Sequence, residues 1–151
     1  MSNDLNSQIT KFLKDVTGAF GLPLDVRIEQ HEDHTRVDLE GPGGEILLRR
    51  KAEGLDALQH IVNTAFRRGP HADQHFVVDC LGYRKGKEAE LRQMTQFLIE
   101  KAKSTNEPQE IGPLNPFHRR LVHLQVADDP KVTSESVGDA FMKTVIISAR
   151  K

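Results

Sequence analysis

Leu114-Asn-Pro-Phe-His-Arg-Arg-Leu-Val-His-Leu124 is the stretch on which the reading of this chain turns. Asn115 suits an N-cap, because its side-chain oxygen can accept from a backbone N–H one turn on, and Pro116 suits the first helical position, where no N–H is needed. The pair predicts a short helix from Pro116 to about Val126, stopped by Asp128-Asp-Pro130. On it Arg119 and His123 share a face, while Leu121, Val122 and Leu124 are expected to pack inward. A guanidinium can take phosphate oxygens in a fork, and an imidazole beside it can donate a hydrogen bond or stack on a base. The spacing alone favours a plainer reading, an exposed surface pair, because Arg and His recur at this interval by chance.

Upstream of this stretch, Ala89, Leu91, Met94, Leu98, Ile99 and Ala102 mark a helix from about Lys87 to Lys103, ended at Ser104-Thr-Asn-Glu-Pro108. Downstream, the β-branched run Thr144 to Ser148 predicts a final strand, paired with a short one around Glu110-Ile111. A separate unit precedes Gly82. Leu5, Ile9, Phe12, Leu13 and Val16 fall at helical spacing, and Gly18 and Gly21 stop them. Leu24, Val26 and Ile28, then Val37 and Leu39, alternate as two strands of a hairpin turned at Glu32-Asp33. After Gly41-Pro-Gly-Gly44 come a short apolar run, Ile46 to Leu48, and the basic Arg49-Arg50-Lys51. From Glu53 the stripe Leu55, Leu58, Ile61, Val62, Ala65 and Phe66 makes a helix that Gly69-Pro70 ends, and Phe76 to Leu81 is a β-rich close.

The composition limits what such a chain can do. With 151 residues and 37% hydrophobic content there is enough for one ordinary core or two thin ones, and 5% aromatics with no Trp leave Leu, Ile and Val to fill them. The lone Cys80 excludes an internal disulfide or a cysteine zinc site, and its apolar flank Phe76-Val-Val-Asp-Cys-Leu81 predicts a buried strand position rather than a reactive thiol. No apolar run reaches the length of a membrane span and Met-Ser-Asn-Asp lacks the pattern of a signal peptide, so a cytoplasmic protein is expected. The net charge of −1 gives no global attraction to nucleic acid. Basic residues do cluster, at Arg49 to Lys51, Arg67-Arg68, Arg84-Lys85 with Lys87, and Arg119-Arg120, and a neutral total can conceal a basic face.

Several elements occur in order: Gly82-Tyr83-Arg84 after a strand, a long helix, Pro113-Leu-Asn-Pro-Phe-x-Arg-Arg-x-Val-His123, Asp129-Pro130, and Thr133-Ser-Glu-Ser136-x-Gly138. Together they resemble the RxxxH (R-3-H) domain of the bacterial Jag family of RNA-binding proteins. The resemblance implies a small α+β domain over about residues 82–151 in which Arg119 and His123 face nucleic acid, with Arg120, Tyr83 and Arg84 as further candidates. Residues 1–81 resemble the type II KH domain that precedes it in that family, ordered α-β-β-α-α-β, with Gly54-Leu-Asp-Ala-Leu-Gln59 opening the helix after the KH loop. The loop departs from the Gly-x-x-Gly pattern, because Arg49-Arg50-Lys51-Ala52 stands where glycines would let the backbone approach phosphates. Two readings of that loop stay open: RNA contact through its three cations, or a groove that gives general phosphate attraction at most. The family's usual N-terminal module is expected to be missing, as the sequence opens on the first KH helix, and partnerships of that module are not expected to carry over.

Other chemistry finds little support. His71-x-x-x-His75 has metal-ligand spacing but lies between a Gly-Pro break and a strand with no HExxH glutamate, and reads as a polar loop. His31 and His34 fall in the predicted hairpin turn. There is no Gly-x-Ser-x-Gly elbow, no phosphate-binding Gly-rich loop and no convincing carboxylate pair. The expectation is two small packed α+β domains that bind single-stranded RNA, or single-stranded DNA, without enzyme activity or cofactor. Arg119, His123, Arg120, Tyr83, Arg84, Arg49, Arg50 and Lys51 are the candidate contacts. The rival is a protein-interaction adaptor that meets a partner through the Ile46-Leu-Leu48 edge or the helix from Glu53.

Overall fold

The computed structural model describes residues 2–150. The chain divides after Lys85 into two compact α+β units, Met1–Lys85 and Gly86–Lys151.

In the first unit α1 (Ser2–Ala19) leads into the hairpin β1 (Asp25–Gln30) and β2 (Thr35–Glu40). A 3-10 turn at Gly44–Leu48, α2 (Arg49–Phe66), a second 3-10 turn and β3 (Phe76–Cys80) follow. The sheet order is β1-β2-β3, with β2 parallel to β3 and Val37 opposite Val78. Alternation places Val37, Leu39, Phe76, Val78 and Cys80 on one face. There they bury Leu5, Ile9 and Leu13 of α1 and Leu55, Leu58 and Val62 of α2. Each such aliphatic side chain contributes about 1.5–3 kcal/mol on burial. Cys80 is buried and free, and burial pushes its thiol pKa up to about 11, the environment of an inert core residue.

The edge strand β3 is closed by side chains of α2. Gln59 accepts from the Val78 N–H, and Asn63 accepts from the Phe76 N–H while donating to its carbonyl. This satisfies backbone groups that a bare edge would leave open. On the opposite sheet face Arg36, Asp38 and Asp79 are buried together, with Arg36 reaching Asp79 at 3.5 Å. Burial raises the Asp38 pKa, with Lys85 and Arg36 opposing the shift.

The second unit contains most of α3 (Tyr83–Thr105), then β4 (Gln109–Leu114), α4 (Pro116–Ala127), β5 (Val132–Val137) and β6 (Lys143–Ala149). Its sheet is antiparallel in the order β4-β6-β5. Leu98, Ile99 and Ala102 of α3, Val122 and Val126 of α4, and Ile111, Val132, Val145 and Ile147 of the sheet form a second core. Leu124, expected inward, is exposed, because Val122 and Val126 already define the buried stripe of so short a helix.

Two differences from the sequence-based expectation matter for the site. β5 has no counterpart among the predicted elements, since Thr-Ser-Glu-Ser carries almost no apolar signal, and its pairing with β6 is what makes it a strand. The division between units falls inside α3 rather than ahead of it. Asp79 accepts from the N–H groups of Arg84 and Lys85, so the first turn of α3 is capped by the first unit.

Candidate nucleic-acid interface

The site is built on the start of α4. Gly112, at φ 134°, lies where β4 shifts register against β6, and a Cβ there would come within 3.1 Å of the Lys143 carbonyl oxygen. That close approach delivers the chain to Asn115, whose side chain accepts from the His118 N–H at 2.8 Å. The cap and Pro116 behave as their residue types require.

Arg119 does not stand out in solvent as its place in a basic pair suggests. It is half-buried, and its Nη1 donates to the carbonyls of Leu114 (2.7 Å) and Phe141 (2.8 Å). The guanidinium therefore ties the end of β4 to the β5–β6 loop while keeping its charge at the head of α4. One turn on, His123 Nδ1 lies 2.7 Å from Ser134 Oγ and Nε2 lies 2.8 Å from Ser136 Oγ. Both ring nitrogens are thus engaged by alternate residues of β5.

Burial lowers the His123 pKa from its ordinary 6.5, and the neighbouring Arg119 charge lowers it further, so the ring is neutral at pH 7. A neutral imidazole has one N–H and one lone pair. It must donate to one serine and accept from the other. The serine that accepts keeps its own O–H to offer a phosphate oxygen, and the serine that donates keeps lone pairs. Protonation would make both serines acceptors and release both hydroxyl protons outward. Both ring nitrogens of His123 are thus occupied by serine hydroxyls. Ser134 and Ser136 belong to the Thr-Ser-Glu-Ser motif, but their role is not readable from it. Their alternate spacing is the signal, legible only once β5 is known to be a strand.

Arg120 is exposed on α4. Tyr83 and Arg84 belong instead to the first unit. Tyr83 packs against the first core. Arg84 donates through Nε to the Val78 carbonyl at 2.7 Å and through Nη2 to Asp56 at 2.9 Å, with its backbone N–H on Asp79. The guanidinium is therefore a structural tie within the first unit.

Arg49, Arg50 and Lys51 are exposed. Arg50, Lys51 and Ala52 adopt left-handed φ of 54°, 58° and 64° without a glycine among them. Such residues cost about 1 kcal/mol each. Arg49, at φ −64°, has ordinary extended backbone, so of the two positions expected to need glycine only that of Ala52 does. The loop's charge is offset in part by Glu53, 4.0 Å from Arg50.

Elsewhere in the first unit, Phe20, Leu22, Ile46, Leu58 and Ile61 line an apolar groove of about 470 Å³. His71 accepts or donates a hydrogen bond with Gln74, and His31 stacks on His34 at 4.8 Å. Among the described residues no His, Cys, Asp or Glu side chains group as a metal site, and no helix is long and apolar enough to cross a membrane.

Residues 89–149 match the R-3-H domain family. The second unit, with its Arg119-x-x-x-His123 helix, is similar to domains of that class. Over 149 residues the chain is 26% identical to the RNA-binding protein KhpB of Clostridium symbiosum, covering 97% of this chain and 67% of the relative. It is 20% identical over 146 residues to the RNA-binding protein KhpB of Bacillus subtilis, covering 95% and 70%. The RNA-binding protein KhpB of Lactiplantibacillus plantarum is 20% identical over 140 residues, covering 93% and 44%. Residues 89–149 are thus similar to R-3-H domains, and the chain is similar over most of its length to RNA-binding proteins named KhpB.

Proposed function

We propose that this protein binds single-stranded nucleic acid, RNA before DNA, through the Arg119–His123 face of its second unit, and that it acts by binding rather than by catalysis. The observation that carries the reading is Arg119, held by the Leu114 and Phe141 carbonyls, on the same helix as a His123 whose ring nitrogens hold Ser134 and Ser136, in a unit that matches the R-3-H domain. Donors held in place by their own scaffold lose little freedom when a phosphate arrives. Arg119 contributes charge, the serines contribute hydroxyls oriented by His123, and Arg120 adds a second cation. The names of the KhpB relatives support RNA as the ligand class.

The first unit we read as a KH-like domain whose glycine loop is replaced by Arg49, Arg50 and Lys51. Those cations add salt-sensitive attraction rather than backbone contact. Fluorescence anisotropy with mixed-sequence single-stranded RNA at low salt tests the whole proposal. Saturable binding that weakens as salt rises is expected, and absence of binding would remove it. The apolar groove around Phe20, Ile46 and Ile61 favours a second reading, a protein-interaction adaptor, which predicts no salt-sensitive RNA binding.

A further inference from the structure

The loop between β5 and β6 carries Phe141, which is 71% exposed, with Met142 beside it at 45%. A single exposed apolar residue calls for no explanation by itself. What sets this one apart is its backbone. The carbonyl of Phe141 accepts a charge-assisted bond from Arg119, the same guanidinium that holds Leu114, and the register Val137 opposite Thr144 closes the loop just beyond it. A cation at the head of α4 is thus committed to fixing the backbone from which an exposed aromatic ring projects.

From this placement we infer that Phe141 is the stacking platform of the second unit, taking one unpaired base of a strand whose phosphates lie against Arg119 and the serine hydroxyls. The inference rests on the nucleic-acid reading above and names the part of the ligand it would touch. The groups tied to the ring's loop are polar donors, Arg119 and the half-exposed Lys143, together with the serines around His123. That setting suits a ring with a phosphate attached better than an apolar protein surface. Asp139 lies in the same loop and opposes any purely electrostatic hold there. Stacking is the attraction this loop can supply, because every base presents a π-face and the contact is not screened by salt. Duplexes, whose bases are already stacked, would be poor ligands.

The test uses the full chain with a fluorescently labelled single-stranded oligoadenylate and an abasic ribose-phosphate oligomer of equal length and charge. The parent should prefer the base-bearing strand. Phe141→Ala should weaken binding to that strand by about tenfold or more, leave the abasic oligomer unaffected, and keep its deficit at raised salt. Phe141→Leu should behave like the alanine variant; if leucine restores affinity, the contact is generic apolar burial and the inference falls. The chain contains no Trp, so Phe141→Trp introduces the sole indole. Its emission should be quenched by oligoadenylate and not by the abasic strand. Unchanged thermal midpoints for the variants would exclude a folding defect, as expected for so exposed a side chain. If the parent binds RNA and Phe141→Ala binds equally well, stacking is wrong while the Arg119 reading stands. If the parent binds neither strand, both are wrong.

Discussion

At Arg119 the cation is held by two backbone carbonyls at 2.7 and 2.8 Å, while at Arg49, Arg50 and Lys51 the cations project into solvent from an exposed loop with left-handed backbone at Arg50 and Lys51. Both regions offer positive charge, but only one fixes its geometry. A tethered guanidinium presents its charge from one position. Side chains on an exposed loop present charge over a volume and lose rotamer freedom when they bind, roughly 1.5–2 kcal/mol for each fully fixed Lys or Arg. On the proposed reading the second unit places contacts and the first attracts.

The largest expected effect is at Arg119, and it has two components. Arg119→Ala should weaken single-stranded RNA binding by about 2–3 kcal/mol by removing charge-assisted hydrogen bonds to phosphate. The same substitution should lower the stability of the second unit by about 1–3 kcal/mol, because the Leu114 and Phe141 carbonyls lose their common donor. Anisotropy and thermal denaturation read the two separately. If stability is unchanged, the guanidinium is not a structural tie.

Arg84 reverses that balance. Arg84→Gln is expected to lower stability by about 1–3 kcal/mol, since the Val78 carbonyl and Asp56 lose their partner. The slope of log K against log salt should remain parental. A flatter slope would return Arg84 to the nucleic-acid surface.

In the basic loop, two substitutions separate strain from charge. Ala52→Gly should stabilise the first unit by about 1 kcal/mol by removing a Cβ from left-handed backbone, as urea denaturation would show. Replacing Arg49, Arg50 and Lys51 by Gln should reduce the salt slope by up to about 0.7 for each phosphate no longer neutralised, with similar affinity decreases on unrelated sequences. A parental slope would leave binding to the second unit alone.

The smallest effect is the dependence on pH. Because the folded state depresses the His123 pKa, the unfolded chain binds the proton first as pH falls through about 6.5, and stability declines on acidification. RNA affinity should move the other way, since a bound phosphate favours the imidazolium and frees both serine hydroxyls to donate. His123→Asn should blunt both trends. Equal trends in parent and variant would assign them to other groups, His75 among them, whose pKa is also lowered, chiefly by burial.

Local rules carry a good deal of this structure. Asn115 and Pro116 mark the start of α4 because a cap is a short-range arrangement that needs only neighbouring residues. The stripe Leu5, Ile9 and Leu13, the alternation in β1 and β2, and the burial of Cys80 are legible for the same reason: periodicity states which face turns inward. β5 is not legible, since a polar strand owes its form to the partner it pairs with, and pairing with β6 joins residues apart in the chain. Arg84 and Arg119 show the same limit in side chains. Both are arginines in basic runs, and nothing in their neighbours along the chain says which acceptors each will meet. Only tertiary structure brought Val78 and Asp56 to one and Leu114 and Phe141 to the other, because a guanidinium reaches whatever acceptor the fold delivers. The sequence by itself determined most element types and the residue chemistry at α4, while folding alone decided which cations became ties and that the Phe141 ring of the β5–β6 loop was left facing solvent.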